Sequence, residues 1–309
     1  MVTPDMCSNP YPHYARMRAN APIFFNPARQ VWEVYGYKDI QTVLSDPVIF
    51  SSNVYGAAGQ PKMQTMLTMD PPRHAQFRKL ITHAFTTKVV TALEPRIQKI
   101  SHELLNQVAS TGQMDIMRDF AFPLPVTVIA ELLDVPVTDR DQLKRWSEYA
   151  VMMAEATIKG EKPAPHLLEA VAEFMQYIET LAIERKRKPG DDLISRLATA
   201  SVDGEQLTTQ EIGGTCRLLL IAGYETTTNL IGNAMHLLLE HSDALAQLRA
   251  TPELLSSAIE EVLRHRTAVQ FVGRIATRDV SLGGQLIRAG QKIIAFNGSG
   301  VKPPKSVPL

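Results

Sequence analysis

Leu218-Leu219-Leu220-Ile221-Ala222-Gly223-Tyr224-Glu225-Thr226-Thr227-Thr228 lies in the middle of the longest helical pattern in the chain. The pattern opens with Thr208 and, three residues on, Glu211, a capping box in which each side chain satisfies a backbone donor at the helix start. No proline interrupts the chain from there to Leu239. Yet the middle breaks local rules. Gly223 costs about 1 kcal/mol against alanine in a helix, and three β-branched threonines follow it. Such conflict inside an otherwise consistent element marks either packing or function. Two readings stand side by side. One is a close helix crossing at Gly223 with Thr226 bonded back to the carbonyl of Ala222. The other is a groove in which the Glu225 carboxylate and the Thr226 hydroxyl relay protons to a small bound molecule.

Composition narrows the function classes. The chain has 309 residues, 45% apolar and 21% charged, with a formal net charge of +0. That is the make-up of a globular protein with no field favouring nucleic acid or an anionic membrane. Its 2 cysteines, Cys7 and Cys216, form neither a disulfide framework nor a zinc pattern, which suits a cytoplasmic protein. Prolines 4, 10 and 12 replace any signal-peptide core, and the apolar run before Glu225 is too short to span a bilayer.

The rest of the chain predicts a mainly α protein with a small β-sheet built from both ends. Ile23-Phe24-Phe25 and Val31 to Tyr35 read as strands around the turn at Asn26-Pro27, and Val269 to Ala276 and Ile293 to Phe296 as strands near the far end. Gly283-Gly284 marks a two-residue hairpin. Asp70 is the expected N-cap of a helix beginning at Pro71, whose buried stripe is Phe77, Leu80, Ile81, Ala84 and Phe85. Helical patterns cover Val89 to Val108, Leu124 to Leu133, Gln142 to Ala154, Leu167 to Arg185 and Leu254 to His265. There is no phosphate-binding glycine loop and no nucleophile elbow.

Three further groups carry chemistry. His74 and Arg78 lie one turn apart, where they could clamp carboxylates or simply form a basic flank. Glu261 and Arg264 have i, i+3 spacing, a commonplace pair on a helix. Arg274 lies among apolar strand residues and must reach either solvent or an anion.

Taken in order, these stretches resemble the cytochrome P-450 family of haem-thiolate monooxygenases, in its soluble bacterial type. Ala222-Gly223-Tyr224-Glu225-Thr226-Thr227 is similar to the family's oxygen-activation motif, and Asp70-Pro71-Pro72-Arg73-His74 with Arg78 to its propionate-binding segment. Glu261 and Arg264 resemble its buried structural Glu-x-x-Arg pair, and Arg274 its further propionate arginine. The resemblance runs from about Tyr11 to Ser299 and implies a cytochrome P-450 domain over residues 1–299.

It also implies roles. Haem b would be the cofactor, with His74, Arg78 and Arg274 on its propionates. Ala222 and Gly223 would form the oxygen groove. Thr226 would bond dioxygen and Glu225 would help deliver protons. The loop from Val54 to Met66 and residues Ala268 to Val272 would line a pocket for a small hydrophobic substrate, and electrons would come from a ferredoxin and its NAD(P)H reductase.

One departure is expected. The family's cysteine thiolate lies in a glycine-rich loop, and these residues contain none; residues 300–309 read as an atypical, disordered tail. Cys216 would lie on the oxygen side, about 10 Å along the axis from Gly223 at 1.5 Å per residue, and reads as an ordinary buried cysteine. On this reading the chain is a truncated monooxygenase, inactive as it stands. The alternative is a non-catalytic helical protein of the same fold that binds a hydrophobic ligand, or haem without thiolate.

Overall fold

The computed structural model describes residues 9–54, 65–159, 162–202 and 204–300. Cys7, most of the loop Val54 to Met66, and the tail beyond Gly300 lie outside the described residues. Gly300 itself ends a short buried helix, Asn297–Gly300. Chain contacts gather into two compact units. One comprises residues up to 62, 67–71 and 236 onward, and the other residues 63–66 and 72–235.

The first unit contains the main sheet. Its strands in chain order are β1 (Ile23–Asn26), β2 (Val31–Val34), β3 (Phe50–Ser51), β6 (Val272–Ala276) and β9 (Lys292–Ala295). They are ordered β1-β2-β9-β6-β3. β2 and β9 run parallel, Val31 opposite Lys292 and Val34 opposite Ala295, while the other neighbours are antiparallel. The sheet therefore joins both ends of the chain, as the apolar runs predict. The hairpin β7 (Val280–Leu282) and β8 (Gln285–Ile287) turns through Gly283 and Gly284, both at positive φ. At Gly283 the left-handed backbone favours glycine, and a β-carbon there would press on the flexible end of Ile23. Ile23, Trp32, Val34, Ile40, Phe50, Ile287 and Ile293 belong to one buried cluster beneath these strands.

The second unit is helical, apart from the small ribbon β4 (Ser201–Val202) and β5 (Glu205–Gln206). Arg73–Ala84 buries Phe77, Leu80, Ile81 and Ala84, four of the five predicted stripe positions; Phe85 is half-buried. Burying Phe77 alone contributes about 1.5–3 kcal/mol. The pattern from Val89 to Val108 is two helices, Thr87–Ala92 and Glu94–Ala109, because Pro95 belongs in a first turn. Asp192 accepts from the Ser195 N–H at 2.9 Å and starts the helix Leu193–Thr199. The long helix is Thr209–Glu240, 32 residues. Its capping box closes as expected. Thr208 N–H donates to Glu211 Oε2 at 2.9 Å, and Glu211 N–H donates to Thr208 Oγ1 at 3.2 Å.

One expectation needs correction. Asp70 does not cap the helix that follows it. Its carboxylate accepts from the Ser51 hydroxyl at 2.5 Å and the Ser52 N–H at 2.8 Å, pinning the end of β3, and the helix starts at Arg73 with no side-chain cap. A further helix, Ser242–Ala250, follows the long one.

Candidate functional site

The middle of the long helix shows the crossing and the back-bond of the first sequence reading. Gly223 faces Ile129 of the helix Pro123–Leu132; a β-carbon at Gly223 would lie 3.3 Å from Ile129 Cδ1. Tyr224 is buried edge-on against Phe122, ring centroids 4.7 Å apart. Thr228 donates to the carbonyl of Ala121 at 2.9 Å, an acceptor at the end of a π-helical turn, Met117–Ala121. So Gly223, Tyr224 and Thr228 seat the helix on its neighbours. Ala222, Glu225 and Thr226 lie on another flank, each half-buried. At 100° per residue, Ala222, Glu225 and Thr226 share one side of the cylinder. The Thr226 hydroxyl donates to Ala222 O at 2.7 Å. Its oxygen lone pairs stay available, because a hydroxyl accepts while it donates.

His74 and Arg78 lie on the helix Arg73–Ala84 and line one hollow of about 640 Å³ with Ala75, Lys79, Thr82 and His83. The sequence reading missed Lys79, Thr82 and His83, although the rows 74, 78, 82 and 75, 79, 83 repeat at four residues and so share a helix face. Arg73, also unassigned from sequence, points elsewhere. It forms ion pairs with Glu211 at 2.6 Å and Glu205 at 3.0 Å.

In the first unit, Glu261 and Arg264 of the helix Leu255–His265 pair in bidentate fashion at 2.6 and 2.5 Å. The pairing is as expected, but the burial is not, for their side chains keep 37% and 32% of their exposure. Hydrogen bonds from Arg264 hold the Glu261 carboxyl below its ordinary range. Arg274 on β6 is half-buried, and its guanidinium donates to Gly273 O at 2.8 Å. Burial pulls its pKa down, and the nearby Asp70 carboxylate opposes that.

Haem would bring two carboxylates, and the basic residues fit them on one observation. Among the described residues, His74, Arg78 and Arg274 have no carboxylate within ion-pair distance, unlike Arg73, Arg96 and Arg264. A half-buried guanidinium offered only a carbonyl is suited to an incoming anion. Cys216 behaves differently. It is 0% exposed, and burial, with Asp192 nearby, pushes its thiol up to about 12. A buried neutral thiol is a poor metal ligand. Among the described residues no His, Cys, Asp and Glu cluster could hold a metal ion, and no helix is long and apolar enough to cross a membrane.

Comparison with known proteins agrees with this geometry. The family described as Cytochrome P450 matches residues 22–304. Cytochrome P450 109 of Bacillus spizizenii is 38% identical over 294 residues, covering 94% of this chain and 71% of the relative. The cytochrome P450 monooxygenase PikC of Streptomyces venezuelae is 37% identical, covering 98% of this chain and 74% of the relative. Among solved structures, CYP109E1 of Bacillus megaterium in complex with testosterone superposes with a TM-score of 0.84 at 40% identity, over 95% of this chain and 77% of that one. CYP109Q5 of Chondromyces apiculatus gives 0.87 at 35% identity, over 97% and 76%. A helical body with a small sheet, an acid and a hydroxyl beside a glycine on its longest helix, and relatives of this closeness along nearly the whole chain lead to one conclusion: the chain belongs to the cytochrome P450 family of haem-dependent monooxygenases.

Proposed function

We propose that this chain cradles haem b through His74, Arg78 and Arg274, and presents Thr226 and Glu225 to dioxygen beside a small hydrophobic organic substrate. The observation that carries the reading is the flank of the long helix at Ala222, Glu225 and Thr226. It is half-buried and carries a carboxylate next to a hydroxyl already oriented by its bond to Ala222 O. When bound, haem supplies the one-electron and oxygen chemistry that side chains lack. The residues' own work is orientation and proton handling. Thr226 Oγ1 accepts a hydrogen bond while donating to Ala222, and by rotating it can donate outward instead. Glu225 lies one position away on the same half-buried flank, where its carboxyl can exchange a proton with a bound molecule. Ala222, with a single methyl, keeps that flank open to a small molecule. His74, Arg78 and Arg274 give the propionates charge-assisted hydrogen bonds, the two arginines with their planar forks. Reducing equivalents would come from a ferredoxin and its NAD(P)H reductase, in the cytoplasm.

We also propose that these residues give the iron no thiolate, so that haem bound to them alone lacks monooxygenase competence. The fully buried, neutral Cys216 thiol supports this second part. The test is the carbon monoxide difference spectrum of the purified, reduced, haem-loaded chain. Haem uptake without a thiolate-type red-shifted Soret band is the expected result. A red-shifted band would overturn the second part, and failure to take up haem at all would overturn the first.

A further inference from the structure

We infer that Arg73 is a positioning residue for the haem carboxylate site, acting through His74 and Arg78 from outside the hollow they line; this rests on the proposed binding of haem propionates.

The first turn of the helix Arg73–Ala84 is unusual for its charge. It contains no acidic residue, its N-cap is Pro72 with no side-chain bond, and its first two residues are Arg73 and His74. Basic groups at a helix N-terminus oppose the macrodipole, whose positive end is there. Glu211 and Glu205 offset that opposition for Arg73. One guanidinium nitrogen meets Glu211 Oε1 at 2.6 Å and the other meets Glu205 Oε2 at 3.0 Å.

The Glu211 carboxylate is itself held in place. Its other oxygen, Oε2, accepts from Thr208 N–H at 2.9 Å and lies 3.0 Å from the Thr208 hydroxyl, which fixes the carboxylate at the start of the long helix. Burial alone would raise the Glu211 pKa, but the bonds from Thr208 and Arg73 more than offset this, and its carboxyl stays below the usual range. Arg73 therefore meets an acceptor with little freedom left to lose. An isolated surface ion pair contributes little because both partners must be ordered; here one partner is ordered already.

Arg73 is not among the residues lining the hollow, whereas His74 and Arg78 are. Neighbouring residues on a helix point about 100° apart, so the bond from Arg73 to Glu211 adds a polar anchor at the helix start to the packed face of Phe77, Leu80, Ile81 and Ala84 in setting the rotation of the helix about its axis. That rotation decides where His74 and Arg78 aim. The Arg73 guanidinium also lies 6.0 Å from the ring centre of Phe77, a core residue that is 1% exposed, so the anchor is continuous with the packed face.

The test uses two porphyrins and the full chain. Iron protoporphyrin IX has two free carboxylates, and its dimethyl ester has none. Their apparent affinities are read from growth of the Soret band, and the ratio gives the carboxylate preference. Arg73→Gln should lower that preference about tenfold, the lower end of what is lost when the outer support of a ligand shell is removed. Affinity for the dimethyl ester should stay unchanged, and Arg73→Lys should restore most of the preference. Glu211→Gln keeps a capping residue but removes the charge facing Arg73, so it gives the same reading should Arg73→Gln fold poorly. Arg78→Gln tests the underlying reading. If it leaves the preference intact, the propionate site falls and this inference falls with it. If Arg78→Gln abolishes the preference while Arg73→Gln and Glu211→Gln do not, the propionate site stands and the role of Arg73 is overturned. Equal loss for both porphyrins in the Arg73 variants would mean general destabilisation and would also overturn it.

Discussion

The first turns of the long helix and its middle are built on opposite plans. From Ile212 to Cys216 every residue is buried. Thr208 and Glu211 satisfy each other, Thr215 donates to Glu211 O at 2.8 Å, and Gly213 makes room for Met175, whose Cε would lie 2.8 Å from a β-carbon there. From Ala222 to Thr226 only Tyr224 is buried. The side chains on the flank of Ala222, Glu225 and Thr226 are half-buried. The same element is packed shut over its first turns and partly open in its middle. That contrast explains why rule-breaking residues cluster in one place and not the other.

The contrast can be tested at successively smaller expected effects. The first concerns Cys216. With its thiol at about 12 in the fold, the thiolate near neutral pH is roughly a thousandfold scarcer than at an ordinary cysteine. Iodoacetamide should therefore label Cys216 readily in urea and hardly at all in the native chain, followed by mass spectrometry. Native labelling at the denatured rate would show that the first turns are open after all.

Next is the crossing at Gly223. Gly223→Val puts a branched side chain against Ile129 and should cost about 1–3 kcal/mol by urea titration. Unchanged stability would mean that the helices do not meet closely there. Third, Thr208→Ala should cost about 1 kcal/mol. The Glu211 carboxyl lies below its ordinary range in the fold. Its contribution is therefore present above the unfolded carboxylate pKa and lost as pH falls through the folded value. Glu211→Gln should flatten that acid limb, and an unaltered limb would assign it to other carboxylates. The smallest effect belongs to the middle. Thr226→Ala removes only a bond back to its own helix and gains helix propensity, so stability should move by less than about 0.5 kcal/mol. A loss above about 2 kcal/mol would make Thr226 structural, like Thr215.

Much of this was legible from residues whose signals are local. Thr208 with Glu211 announced the helix start, Gly283-Gly284 the hairpin, and the spacing of Phe77, Leu80, Ile81 and Ala84 the buried face. Gly223 and Thr226 gave two compatible readings, and the fold shows a crossing and a back-bond together. What escaped depends on partners distant in sequence. Asp70 looked like a cap because Pro71 follows it, but Ser51 and Ser52 compete for the same carboxylate and win. Arg73 is unassigned from sequence because nothing nearby in the chain names Glu205 and Glu211. The π-helical turn Met117–Ala121 is held by Asp115 at its start and meets Thr228, distant in sequence, at its end. Glu261 and Arg264 pair as their spacing suggests, but burial depends on what surrounds a helix, and spacing is silent on that.

The parallel pairing of β2 with β9 also bears on how the protein is made. Val31–Val34 is buried throughout, and its partner Lys292–Ala295 is among the last described stretches of the chain. At about 5–20 residues per second, synthesis of the intervening chain takes tens of seconds or less. During that time the hairpin of β1 and β2 has one edge without a partner, with Trp32 and Val34 on it. An unpaired apolar edge is a template for association with other chains. Slowing translation late in the message should therefore raise the aggregated fraction.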